Sequence, residues 1–214
     1  MKHLLIIGVG GFARECYWHA QGSHGYGEEW DIKGFLDGDV KLPQEEYDKL
    51  DKPVLGDVYN YEIQPEDVFI CAIGDSHIRQ KLVEAIVGRG GRFINLVHKT
   101  ANIQGYVTMG TGNLFAPYVG IGDHAVIGNF VTFNSHSGMG HDSMVGDYTS
   151  LMSGVNLCGY ASVGKRLYLA TNAVALPHSK IGDDAVVGVN SVVFKKVKAG
   201  YKVFGNPAMP IEMK

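Results

Sequence analysis

The stretch Ile121-Gly122-Asp123-His124-Ala125-Val126-Ile127-Gly128-Asn129-Phe130-Val131-Thr132-Phe133 returns to an apolar residue at every sixth position. The register extends back through Phe115, Met109 and Ile103 to Val97 and forward through Met139, Val145 and Leu151 to Val193, without a slip. The next position is often glycine, as at Gly110, Gly122, Gly128, Gly140, Gly146, Gly164, Gly182 and Gly188. The fourth position after the apolar one is mostly small or β-branched, as in Ala125, Val131, Ser143, Thr149, Ala161 and Ala173. A helix repeats every 3.6 residues and a half-buried strand every 2, so neither alone gives this period. A triangular coil does. Each hexad then supplies one short strand and one corner, the apolar residue points inward, and the small residue fits beneath the next turn. Glycine is expected to allow the corner its backbone angles. Three hexads close one coil of about 18 residues, so Val97 to about Lys198 predicts five to six stacked coils.

The first 95 residues follow another rule. His3–Ile7 reads as a buried strand, followed by the turn Gly8-Val9-Gly10-Gly11 and a helix over Phe12–Gln21 with Phe12, Cys16 and Ala20 on one face. Ile32–Leu36 is a second strand ending at Asp37, and Asp67–Ile73 a third ending at Gly74. Ser76 then caps a helix running to Val87. Phe93–Leu96 is a last strand. Strands alternating with helices predict a small parallel α/β sheet. After Val193 the period stops, and the tail Lys195–Lys214, with Gly205-Asn206-Pro207-Ala208, is expected to leave the coil.

Composition narrows the function. A net charge of −3 gives no electrostatic case for nucleic acid or an anionic membrane. Cys16, Cys71 and Cys158 are odd in number and far apart, which predicts reduced thiols rather than a disulfide frame or a metal site. The apolar run Leu4-Leu5-Ile6-Ile7 is too short for a signal peptide or a membrane helix. A cytoplasmic protein without membrane insertion is the expectation.

Two stretches carry chemistry. Gly8-x-Gly10-x-x-Ala13 lies between a strand and a helix, where a phosphate-cradling turn belongs. Glycines let the backbone approach a diphosphate, and the helix start offers unpaired N–H groups. Asp37, closing the second strand, is placed to accept from a ribose. Only one mononucleotide half is present, which points to a nucleotide-sugar rather than a dinucleotide; a tight strand–helix turn without ligand is the bland reading. The second stretch is Asn134-Ser135-His136-Ser137-Gly138-Met139-Gly140-His141-Asp142. A neutral imidazole suits proton abstraction from an attacking amine or hydroxyl, and Asp142 would orient His141 and raise its basicity. His136 is a second, weaker candidate. Eighteen residues after His141, Gly159 should stack one coil above it, and its N–H would serve an oxyanion. Thr171 and Val189, also 18 apart, should form a ridge for a long thin ligand, or simply be corner residues.

Nearly the whole chain resembles the bacterial hexapeptide-repeat sugar acetyltransferases, which include the UDP-4-amino-sugar N-acetyltransferases of bacillosamine type and the sialic acid O-acetyltransferases. The likeness runs through Ile7-Gly8-Val9-Gly10-Gly11, Gly34-Phe35-Leu36-Asp37, Ala72-Ile73-Gly74-Asp75, Asn95-Leu96-Val97-His98, the repeat, and Gly205-Asn206-Pro207-Ala208. It implies a Rossmann-like nucleotide-sugar-binding half domain over 1–95 and a left-handed parallel β-helix with its tail over 96–214. It places the catalytic histidine on His141, its partner acid on Asp142, and the oxyanion N–H on Gly159. Nucleotide-sugar contacts fall on Gly10, Gly11, Phe12, Asp37, Gly38, Gly74 and His77. Acetyl-CoA contacts fall on Ser150, Thr171 and Val189, with Asn134 close to the acetyl group. A homotrimer holding acetyl-CoA between neighbouring solenoids is implied, without a metal, with a role in surface polysaccharide biosynthesis. Phe12 stands where some members have histidine, Asp142 is one methylene shorter than the glutamate of close relatives, and Ser150 replaces a coenzyme-holding histidine. Direct N-acetylation of a nucleotide-linked 4-amino sugar is the favoured activity. O-acetylation of sialic acid or a sugar is the alternative, and a non-catalytic nucleotide-sugar-binding scaffold the rival from another class.

Overall fold

The computed structural model describes residues 1–38 and 41–211, which divide into two compact units, Met1–Lys99 and Thr100–Lys214. In the first, strands β1 (Lys2–Ile7), β2 (Trp30–Asp37), β3 (Val54–Asp57), β4 (Asp67–Cys71) and β5 (Arg92–Phe93) form one sheet in the order β3-β2-β1-β4-β5. Every pairing is parallel. Helices α1 (Gly11–Gln21), α2 (Gln44–Tyr47) and α3 (Ser76–Val87) connect the strands. Leu4, Leu5, Ile6 and Ile7 are fully buried, as a strand in the middle of a parallel sheet requires.

Three details differ from the expectation. β3 and α2 were not foreseen, because Val54–Asp57 is short and only half buried and so lacks an apolar signature. Asp75, not Ser76, caps α3, its carboxylate accepting from the N–H groups of His77 and Ile78 at 2.9 Å each. The buried face of α1 is Ala13, Cys16, Tyr17 and Ala20, which leaves Phe12 turned elsewhere.

At the amino ends of the strands Asp67 is buried in a polar cluster. Lys33 donates to its carboxylate and to the Tyr61 hydroxyl at 2.8 Å each, Tyr61 donates to Asp67 at 2.8 Å, and the Gln64 N–H adds another bond at 2.8 Å. Burial alone would raise the Asp67 carboxyl, but Lys33 and the other donors outweigh it and hold it below the ordinary range. Its stabilising effect is therefore complete above the unfolded carboxyl value and lost only as pH falls through the lower folded one. Lys33→Met leaves this carboxylate without its cation and is expected to cost about 2 kcal/mol, read as a lower melting temperature that partly recovers when acid protonates Asp67.

The second unit is a parallel β-solenoid. Its first face stacks Asn102–Ile103, Gly120–Ile121, Gly138–Met139, Asn156–Leu157, Val174–Ala175 and Val192–Val193. The second begins at Thr108–Met109, and the part of the third that lies within this unit begins at Leu114–Phe115. Registers advance by one 18-residue coil, Gly120 opposite Gly138 and Gly138 opposite Asn156. The predicted apolar row points inward: Phe115, Phe133, Leu151 and Leu169 lie one above another, and the two phenyl rings stack at 5.0 Å. The small residues Ala125, Ser143, Thr149, Ala161, Ala173 and Ala185 form a second row with no exposure.

The corners correct one expectation. Positive φ falls three residues after the inward apolar position, not on the glycine beside it, and side chains of every size adopt it: Tyr106, Tyr118, His124, Phe130, His136, Asp142, Tyr148, Tyr160 and Arg166 lie between +54° and +62°. The glycines are needed for close stacking. A Cβ on Gly122 would come within 2.6 Å of the His141 nitrogen, and one on Gly140 within 2.6 Å of the Gly159 nitrogen. The tail also corrects the expectation. Lys196–Val197 and Lys202–Phe204 add a strand to the second and third faces, Lys180 pairing with Lys196 through a final coil of 16 residues. Val197 and Val203 still point inward, so a shorter corner serves. Met209–Pro210 then turns back antiparallel on Val203–Phe204.

Candidate active site

In the first unit, the order β3-β2-β1-β4-β5 makes the chain leave the carboxyl ends of β1 and β4 in opposite directions, which opens a crevice there. A cleft of about 290 Å³ occupies it, lined by Gly8, Gly10, Gly11, Phe12, Asp37, Gly38 and Gly74, with Val9, Leu42, Ala72, Ile73 and Ile78 as its apolar walls. Of the residues expected to meet a nucleotide-sugar, only His77 is absent from this lining; it is exposed on the first turn of α3. Gly8 has φ +117°, and a Cβ there would meet the Ala72 carbonyl at 3.0 Å, so the turn needs glycine. No side chain caps α1, whose first N–H groups open beside the cleft. Asp37 is buried, accepting from the Gly38 N–H and the Tyr47 hydroxyl at 2.8 Å each.

Arg79 was not foreseen. Its guanidinium is buried and donates to the Ile73 carbonyl at 2.7 Å, fixing the Ala72–Gly74 wall. The nearby Cys71 thiol is pushed up to about 12 by burial, and Cys16 is raised for the same reason. Neither is a nucleophile at neutral pH.

In the second unit, His141, Asp142 and Gly159 share the corner between the first and second faces. His141 Nδ1 lies 2.8 Å from Asp142 Oδ2, so the shorter acid reaches the imidazole. The His141 bond, with a contribution from the Tyr160 hydroxyl, holds the Asp142 carboxyl below the ordinary range against the opposing effect of burial. A carboxylate on Nδ1 fixes the tautomer that leaves Nε2 free to accept a proton. That nitrogen lies over Gly159, where an added Cβ would stand 2.7 Å from it. At Asp123, Asn129 and Lys165 the equivalent corner N–H is taken by a side-chain oxygen of a neighbouring coil. The Gly159 N–H has no such acceptor among the described residues.

The remaining candidates other than Ser150 stand on another corner, between the third and first faces. Asn134 is half buried, its side-chain oxygen accepting from the Ser135 N–H at 2.7 Å. His136 is exposed and stacks on Tyr118 at 4.9 Å, apart from His141. Thr171 and Val189 are exposed on successive coils, joined by the bond from Asn190 N–H to the Thr171 carbonyl at 3.0 Å. Ser150 is fully buried within the third face of this chain, between Thr132 and Tyr168. No group of three or more His, Cys, Asp or Glu among the described residues is placed to hold a metal. No helix among them is long and apolar enough to cross a membrane.

Residues 3–86 match the family model described as the PglD N-terminal domain. A variant of the perosamine N-acetyltransferase from Caulobacter crescentus, solved with CoA and GDP-perosamine, is 26% identical with a TM-score of 0.86, covering 100% of this chain and 98% of that one. WeeI from Acinetobacter baumannii AYE is 26% identical with a TM-score of 0.83, covering 99% of this chain and all of that one. The acetyltransferase domain of PglB from Neisseria gonorrhoeae FA1090, solved with acetyl coenzyme A, shares the fold at 23% identity and TM-score 0.88, over 98% of this chain and 99% of that one. Residues 3–86 thus resemble the PglD N-terminal domain, and the chain, sheet and solenoid both, shares its fold with the perosamine N-acetyltransferase and the PglB acetyltransferase domain.

Proposed function

We propose that this chain transfers the acetyl group of acetyl-CoA to the amine of a nucleotide-linked 4-amino sugar. The observation that carries the proposal is the His141–Asp142 pair at 2.8 Å, with the free imidazole nitrogen lying over Gly159. As the amine attacks the thioester carbonyl, its proton passes to His141 Nε2. The carbonyl oxygen becomes an oxyanion beside the Gly159 N–H. Collapse of this intermediate breaks the carbon–sulfur bond, and the proton on His141 neutralises the departing thiolate. No acetyl-enzyme forms.

The nucleotide occupies the cleft at the carboxyl ends of β1 and β4, its phosphates against Gly10, Gly11 and the start of α1, its ribose toward Asp37. Acetyl-CoA lies along the Thr171–Val189 ridge with its acetyl end near Asn134; because this corner is not the one that bears His141, the His141–Gly159 corner that acts on it belongs to a neighbouring copy in the trimer. Ser150, having no exposed surface, is left out of that contact. An amine acceptor is preferred to a hydroxyl because the perosamine enzyme among the relatives is an N-acetyltransferase. Coenzyme A release measured with a panel of UDP-, dTDP- and GDP-linked 4-amino sugars tests the reading, with sialic acid as the hydroxyl control. Turnover of none of the amines would overturn it.

The solenoid also carries the trimer. Stacked coils gain stability from their neighbours rather than from the other unit. A fragment starting at Phe93 is therefore expected to sediment as a trimer and bind acetyl-CoA weakly, while failing to bind nucleotide-sugar. A monomeric fragment would place the oligomer contacts elsewhere.

A further inference from the structure

The described part of the solenoid leaves its cations without an acid only toward its far end. In the coil before, Lys165 meets Asp147 and Arg166 meets Asp184, at 2.8 Å each. Among the described residues Lys180, Lys195, Lys196, Lys198 and Lys202, all exposed, form no such pair. Lys180 and Lys196 are register partners on the second face, where two positive charges side by side repel. The preceding outward positions of that face, Thr108, Val126, Met144 and Ser162, carry no charge. On the third face Lys202 likewise follows the uncharged Tyr168 and Val186. Residues 185–211 contain four lysines and no Asp or Glu. The whole-chain charge of −3 conceals this separation, because most of the acids precede Thr100.

The same last turn exposes large apolar side chains. Phe194, Tyr201, Phe204, Met209 and Ile211 are 43% to 61% exposed. Met209–Pro210 is the outermost strand there, antiparallel on Val203–Phe204. Exposed apolar groups gathered in one place mark a surface that a partner covers. A partner that suits both sets of side chains is anionic and has an apolar layer just beneath its charge. Nucleic acid supplies the phosphates but leaves Met209 and Ile211 in water. A bilayer of anionic phospholipid supplies both.

We propose that this end of the solenoid docks on an anionic phospholipid surface. The lysines meet the lipid phosphates, their long stems lying along the apolar side chains, which enter the headgroup layer. The contact is peripheral and independent of the acyltransferase reading above.

Cosedimentation of the full chain with large vesicles tests it. Vesicles of equal parts phosphatidylcholine and phosphatidylglycerol should bind the protein at low salt, and vesicles of phosphatidylcholine alone should not. Raising the salt should release it, since exposed charges are screened. Each lysine near such a surface changes partitioning roughly fivefold, so Lys180→Gln combined with Lys196→Gln should weaken binding roughly twenty-fivefold. Lys41→Gln combined with Lys52→Gln removes the same charge from exposed sites in the first unit and should stay within about twofold. Equal binding to the two kinds of vesicle, or binding to neither, would overturn the proposal. Equal loss in the two double variants would overturn it as well, since net charge rather than this surface would then be read. Release of vesicle-bound wild type by acetyl-CoA at constant ionic strength would also count against it, by assigning the lysines to the phosphates of that ligand.

Discussion

His141→Ala is expected to lower kcat at least about 10²-fold, the usual scale for a lost general base, and to leave the fold intact. The second half follows from where the side chain sits. The imidazole is 59% exposed and touches Asp142, Tyr160 and the space over Gly159, none of which belongs to the inward rows. Removing it opens no cavity, so the melting temperature should scarcely change. The KM values should also hold, since the ring acts on the proton rather than on either ligand's grip. His136→Ala is the control: that ring stacks on Tyr118 at a different corner and should cost no more than a few-fold. A His141→Ala enzyme within a few-fold of wild type would show that another group takes the proton.

Gly10→Val is expected to raise the KM for the nucleotide-sugar more than about tenfold and to leave acetyl-CoA binding nearly unchanged. Gly10 has φ −87° and ψ −170°, extended backbone that any residue adopts. A Cβ there would meet only Leu42 Cδ1, at 3.5 Å, an ordinary contact. Valine therefore fits the fold and fills the cleft, which makes it a probe of the ligand alone. Gly8→Val would not serve, because φ +117° and the Ala72 carbonyl at 3.0 Å would distort the turn itself. Calorimetry with each ligand separately gives the measurement. Loss of acetyl-CoA binding with nucleotide-sugar binding retained would mean that the two sites have been assigned the wrong way round.

The inward rows were legible because burial acts on every sixth residue from Phe115 to Val193, and the buried side chains of Phe115, Phe133 and Leu151 write that rule into the chain. The corners were harder to read. Left-handed backbone is usually sought at glycine, whereas Tyr118, Phe130 and Tyr148 adopt it here within stacks closed by the next coil. At Gly122 and Gly140 the sequence signal was correct in position but different in cause, crowding between coils rather than a permitted angle. Arg79 was missed because a single arginine in a helix carries no mark of burial; only the carbonyls left by the Ala72–Gly74 turn explain it. Spacing placed Gly159 over His141 because both lie on one corner, 18 residues apart. It could not say that Asn134, seven residues before His141, lies on another.

The uniform corner backbone makes the reactive pair transposable. His141 and Asp142 occupy the second and third places after an inward residue, and each equivalent pair along that corner, Asp123–His124 or Gly159–Tyr160, has the same chain path. Adding or deleting one whole coil would shift the pair along the solenoid by a single inter-strand step, about 4.8 Å, without bending any bond within it. Under the proposed function, the place of the base along the solenoid is thus adjustable in fixed increments, by counting coils rather than by redesigning the corner.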